Sequence, residues 1–300
     1  MLLLCLPGCA RPRAVLPVDR TAELRAETLP APYARLVPEA IPLGEPVAGS
    51  WRSGHDERGQ SLAEYRALRR AQPARPGRIL EVASLGRPGA AQARVIQRAG
   101  DYLAACYGLD VRTGPMIDPR SIPAAKRRES RGFGPQVESR YVLDSILVAR
   151  RPADALASIA LSTLDLYPAP DWNFVFGQAA PVQGVGVWSM ARYGNPAESP
   201  DMEVVVLSRT LRTASHEVGH LLGLSHCITW HCLMNGSNSL DELDARPLEL
   251  CPACLAKACE DRAVDPVARA DRVAAVLEAA ELRVDAAGFR RTGRLLRGSP

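Results

Sequence analysis

Apolar positions recur with a clear period through the middle of the chain and lose it toward both ends. The run Ile79 to Leu85, bounded by Pro76-Gly77 and Gly86, predicts a buried strand. Val95, Ile96, Ala99, Leu103 and Cys106 then return at three- and four-residue steps, predicting a helix over about 90–107 that Gly108 ends before a strand at Leu109 to Arg112. Pro119 to Gly134 is charged and punctuated by Gly and Pro, hence a loop, and Tyr141 to Ala149 continues as a helix. Ser158 to Tyr167 predicts a strand. Asn173 to Gln178 and Gly184 to Met190, with aromatic and β-branched residues on either side of turn signals, predict two more. A helix is expected from near Ser208, and another over the Ala-rich stretch Val267 to Leu282, followed by an Arg-rich tail frayed from Arg290. Residues 10 to 78 are rich in Pro, Arg and Glu, with a short helix expected only near Ser61 to Ala71. The pattern thus divides the chain into an irregular or partly disordered extension (1–78), an organised domain (79–260) and a C-terminal helix with its tail (261–300). No internal repeat is visible.

The chemistry concentrates where the helix from Ser208 ends. Three of the five histidines, His216, His220 and His226, fall in one eleven-residue window together with Glu217. In a helix of 3.6 residues per turn, His216 and His220 lie one turn apart on one face, so both imidazoles can reach one metal ion. Glu217 is one step round from that face, suited not to ligation but to taking a proton from a water at the metal. Gly223 tolerates the positive φ of a sharp helix exit, after which the chain can bring His226 back to the same ion. Three neutral imidazoles leave a fourth tetrahedral position open, as a catalytic zinc requires. His55, in a Pro/Gly/Arg-rich stretch, reads as simply exposed.

Cys227, Cys232, Cys251 and Cys254 follow as C-x4-C, a gap of eighteen residues and C-x2-C. That spacing suits a closed structural zinc with four thiolates; two disulfides or four buried free thiols are the alternatives. His231, beside Cys232, could replace one thiolate, and Cys259 has no assigned role.

Read together, HEVGHLLGLSHC, CITWHCLM and CPAC, in that order, resemble the archaemetzincin family. The resemblance extends upstream through Ile79 to Gly86, Ser139-Arg140-Tyr141, Asp165-Leu166-Tyr167, Phe174 to Ala179 and Ser189 to Arg192, covering roughly residues 79 to 260. One departure is the sixteen residues between Met234 and Cys251, one fewer than the family pattern is usually written with. The resemblance implies a compact, single-domain α/β fold with a small mixed β-sheet, an active-site helix and a four-cysteine zinc subregion. It further implies two Zn2+ per chain, one catalytic on His216, His220 and His226 and one structural on the four cysteines, together with peptidase activity on a peptide or protein. Met234 is the nearby candidate for the methionine turn beneath the catalytic metal in metzincins, unless it is plain core.

Composition narrows the remaining classes. With 47% apolar residues in 300, the chain can bury about three quarters of its unfolded surface, enough for one large domain with extensions. The net charge of +4 rests on 35 Arg against 2 Lys, a bias in keeping with a GC-rich genome. Residues 201–260 hold eight acidic against four basic side chains, poorly suited to a phosphate backbone, so no nucleic-acid partner is expected. The opening MLLLCLPGCA contains Leu6-Pro7-Gly8-Cys9, which loosely resembles a bacterial lipobox; a lipid on Cys9 would anchor the protein to a membrane. No charge precedes Arg11, as a secretory leader would need, so a cytoplasmic location is the first expectation. Two functions from different classes fit: a zinc peptidase with Glu217 as general base and Gly184 to Met190 as an edge strand for the substrate, or a non-catalytic, zinc-stabilised binding module. Glu217 separates them, since a module without chemistry has no need of a carboxylate beside the metal.

Overall fold

The computed structural model describes residues 20–72 and 77–298. The lipobox reading at Cys9 lies outside the described residues. Four short helices come first: α1 (Arg20–Arg25), α2 (Ala31–Ala34), α3 (Trp51–Gly54) and α4 (Leu62–Ala71). Ser61 caps α4 by accepting from the Glu64 amide, and Glu64 reaches back to the Ser61 amide, so two otherwise orphaned donors are satisfied. Over the described residues 20–72, the segment expected as an irregular extension is folded against the domain. Tyr33, Leu36, Leu62 and Tyr65 are buried in the same core as the central domain. α4 is the short helix expected near Ser61 to Ala71, while the other three, of four to six residues, are too short to show a period in sequence, and these scattered anchors hold the segment in place.

The central domain opens with β1 (Ile79–Leu85), α5 (Ala90–Tyr107), closed by Gly108 at φ +61°, and β2 (Asp110–Thr113). The expected loop from Pro119 carries a hairpin instead, β3 (Arg127–Ser130) with β4 (Gly134–Glu138). A helical stretch follows, α6 (Ser139–Tyr141), a π-helical turn over Val142–Leu147 and α7 (Val148–Arg150). The strand expected over 158–167 is two, β5 (Ala155–Ser162) and β6 (Asp165–Tyr167). Ser162 Oγ bonds both the amide and the carbonyl of Leu164 there, bending the chain from one sheet into another. β7 (Gly177–Ala180) and β8 (Val185–Ser189) complete the strands, and residues 173–176, expected as strand, precede β7 as a loop.

Five strands form a mixed sheet in the order β2-β1-β5-β8-β7, parallel except for the antiparallel pair β7/β8. β5 is buried along its whole length, as expected of a central strand covered on both faces. Strand alternation sends Val82, Ile159, Leu161 and Trp188 into the main core and Ala83, Leu85, Ala160 and Val187 into a second cluster. The second cluster lies toward the small sheet β3-β4-β6 and the π-helical stretch.

α8 (Pro200–Leu221) packs on α5 and starts eight residues before the expected Ser208. Ser199 caps it by accepting from the Met202 amide, Pro200 occupies the first turn, and Asp201 and Glu203 complement the positive end of the helix. After α9 (Leu240–Ala245) and α10 (Pro252–Arg262) come α11 (Pro266–Ala279) and α12 (Arg283–Arg297), a helical hairpin in which the tail expected to fray is ordered. Arg290, Arg291 and Arg297 pair with Glu278, Glu39 and Asp271, but ion pairs this exposed to water add little. Burial of Phe289 and Leu296, at about 1.5–3 kcal/mol each, outweighs them and fixes α12. No described helix is long and apolar enough to cross a membrane.

Candidate active site

Helix α8 delivers His216, Glu217 and His220 from its last two turns. Leu221 is its final residue, and Gly223 at φ +90° turns the chain so that His226 returns to the helix face. Tyr65 of the extension supports that exit by donating to the Leu222 carbonyl at 3.0 Å. The three imidazoles converge through Nε2, at separations of 3.0, 3.2 and 3.3 Å.

The outer nitrogens decide what that convergence means. His216 Nδ1 bonds the Leu233 carbonyl at 2.9 Å, His220 Nδ1 the Leu224 carbonyl at 2.7 Å and His226 Nδ1 the Glu57 carboxylate at 2.8 Å. Each acceptor needs a proton on Nδ1, so the three Nε2 atoms are lone pairs facing one point. A cation held at that point stabilises such an arrangement. Tetrahedral bonds of about 2.0–2.1 Å would separate ligand nitrogens by about 3.3–3.4 Å, so the constellation fits zinc. Burial holds His220 down to about 3 and His216 well below the ordinary imidazole range, with Arg246 adding to the effect at His216, which keeps both rings in the neutral, ligating form.

Glu217 makes no hydrogen bond to another described residue, so its carboxylate is free toward the cleft. Burial pushes its pKa up to about 7, against the pull of the Arg246 guanidinium. Arg246, itself buried, donates to the Asn235 and Arg212 carbonyls, and its Nη1 stands 3.1 Å behind His216 Nδ1, whose proton is committed to Leu233. A cleft of about 490 Å³ opens over these groups. Trp51 and His55 line one part of it, Trp172, Phe176 and Gly177 another. His55 is therefore not a bystander: its ring stacks on Trp51 at 3.5 Å. Sequence reasoning also placed the substrate edge wrongly. β8 is bonded on both sides, and the free edge facing the cleft is β7, where Gly177 and Gln178 line the cavity.

The four cysteines form a second, closed constellation. Cys227, Cys232, Cys251 and Cys254 are buried with their Sγ atoms within 4.8 Å of one another, and no disulfide joins them. The 3.8 Å between the sulfurs of Cys227 and Cys251 equals the edge of a tetrahedron with bonds of about 2.3 Å, as in zinc thiolate sites. Hydrogen bonds from Cys232, Cys251 and Cys254 lower the Cys227 thiol, while burial raises Cys232 and Cys251. Four thiols so close cannot all ionise unaided, and a dication removes the conflict. The Met234 and Cys251 amides donate to Cys232 Sγ. Asn235 ties the loop by donating to the Cys227 and Trp230 carbonyls and accepting from the Cys232 amide. His231 is exposed and outside the cluster, and Cys259 is buried away from it. Met234 is fully buried beneath α8, where a Cβ on Gly219 would lie 2.6 Å from its sulfur.

Sequence reasoning missed Glu57, Trp51, Asn235 and Arg246. Each is a single residue in a stretch without a motif, and only its spatial neighbours show its part; Asn235, directly after Met234, was the most accessible from spacing.

A helix-borne pair of imidazoles, a third from the returning chain and an unbonded carboxylate between them define a metallopeptidase centre of the metzincin type. Comparison with known proteins narrows this. The model of Peptidase family M54 matches residues 144–259. Archaemetzincin-2 of Mus musculus is 34% identical over 275 residues, covering 77% of this chain and 75% of the relative, and Archaemetzincin-2 of Homo sapiens is 31% identical over the same shares. The crystal structure of Archaemetzincin from Methanopyrus kandleri is similar at a TM-score of 0.50 and 27% identity, over 64% of this chain and 98% of that one. The chain belongs to the archaemetzincin family and is a zinc metallopeptidase.

Proposed function

We propose that the chain hydrolyses peptide bonds with Glu217 as general base and holds two zinc ions, one on His216, His220 and His226 in the cleft and one on Cys227, Cys232, Cys251 and Cys254. When bound at the histidines, zinc supplies Lewis acidity toward the scissile carbonyl and the attacking water. Glu217 takes the proton of that water onto its carboxylate and passes it to the leaving amine. A pKa lifted by burial toward neutrality suits a group that must both accept and return a proton. The substrate lies extended along β7. Alternation in an antiparallel pair leaves the backbone groups of every second β7 residue unbonded by β8, and Gly177 is one of these, since Phe176 accepts from the Ser189 amide.

The observation that carries this reading is the unbonded Glu217 carboxylate on the wall of the cleft into which three imidazole lone pairs converge. Glu217→Ala leaves the ligands in place, so zinc content and fold should persist while peptide hydrolysis falls by roughly 10² to 10⁴. His220→Ala should lose both the cleft zinc and activity. Zinc-loaded Glu217→Ala that cleaves at the parent rate would refute the assigned base, and a zinc-loaded parent inert on a broad peptide library would favour a binding role instead.

A further inference from the structure

The three candidate ligands are not held alike. His216 and His220 stand on one helix, and both give their outer nitrogen to backbone carbonyls, of Leu233 and Leu224. His226 sits in the irregular segment after Gly223, and its Nδ1 is bonded by a side chain from far earlier in the sequence, Glu57, at 2.8 Å. The surrounding segment is fastened to the chain that carries His226. Gln60 donates to the Gly223 carbonyl at 3.1 Å and accepts from the Ser225 amide at 3.3 Å. The Trp51 indole meets the His226 ring edge-on with centroids 5.1 Å apart, and its backbone amide is held by Glu242 at 2.8 Å.

We infer that Glu57 is a positioning residue for the third metal ligand: it fixes the ring of His226 with Nε2 toward the ion and, as a carboxylate rather than a carbonyl, strengthens that nitrogen as a donor. This rests on the proposed zinc at the three histidines. A ligating imidazole is characteristically held through its other nitrogen by a carboxylate or carbonyl, and loss of that partner lowers metal affinity about 10- to 100-fold. Among the described residues, the partner of the outer nitrogen of His226 is Glu57, where His216 and His220 use backbone carbonyls. Glu57 also lies well before residues 144–259, the stretch matched by the family model, so the N-terminal segment completes a site whose other members lie within that stretch.

The test is zinc affinity, measured by competition with a chelator on the full-length protein, with total zinc counted at each step. Glu57→Ala should weaken the more labile of two zinc ions about 10- to 100-fold and leave the other in place. Glu57→Gln keeps an acceptor of the same shape without the charge, so it should recover part of that loss; being nearly isosteric, it also carries the measurement if the alanine variant misfolds. If both variants hold zinc as tightly as the parent, or lose melting temperature without losing affinity, Glu57 is a packing group and the inference falls. His220→Ala serves as the control on the premise: unchanged zinc content in that variant would show that the labile ion does not sit on the histidines, and would overturn the underlying reading rather than Glu57 alone.

Discussion

Asn235 closes the loop from Cys227 to Cys232 on itself with one side chain, which explains why a part-buried amide stands beside four thiols. The thiols themselves set the larger energy. A structural zinc contributes on the order of 10 kcal/mol to folding, comparable to the whole stability of an ordinary domain. Cys251→Ser should therefore leave the protein unfolded or aggregated; near-parent melting with both zinc ions retained would show that these cysteines are not a metal site. At this scale the sequence was legible where chemistry is packed into a short window. His216, Glu217 and His220 could be read because helix geometry fixes their mutual placement, and His226 because Gly223 marks the turn that returns it to the helix face. Arg246 could not, because a lone arginine in sequence shows neither that it is buried nor that it stands behind His216.

Elements were legible when they carry their own punctuation. α5 was read between its apolar period and Gly108, and β1 between Pro76-Gly77 and Gly86. The start of α8 was not, since the β-branched run Val204 to Val206 conceals the Ser199-Pro200 cap. Nor does a local pattern say where a strand sits within a sheet: β8 and β7 differ in role only because β5 bonds one and nothing described bonds the other on its outer side. The edge of β7 yields a prediction about substrates rather than variants. If a peptide pairs with it, replacing a substrate amide next to the scissile bond by an ester removes one hydrogen bond of about 0.5–1.5 kcal/mol, lowering kcat/KM roughly two- to tenfold. Ester-substituted peptides cleaved as well as their amide counterparts at every position would exclude that mode of binding.

Across the described residues, the boundaries near 78 and 260 read from the apolar pattern do not interrupt the core. Leu36 and Tyr65 before the domain and Phe289 and Leu296 after it share one core with Trp188 and Val218. Arg35 binds the Leu296 carbonyl at 2.7 Å, linking the two flanks directly. Truncation after Arg262 would remove α11 and α12 and uncover α5, so the shortened chain should be poorly soluble and bind an apolar dye such as ANS; a soluble, sharply melting product would show the hairpin to be an independent appendage. Composition could not foresee this, because a few anchors spread over short helices decide it. The hydrogen bond from His226 to Glu57 spans 169 residues of chain. Synthesis at about 5–20 residues per second separates the emergence of its two ends by roughly ten to thirty seconds. Through that interval the N-terminal wall waits without its partner, so the three-histidine constellation with its outer carboxylate is complete only when the two distant segments meet.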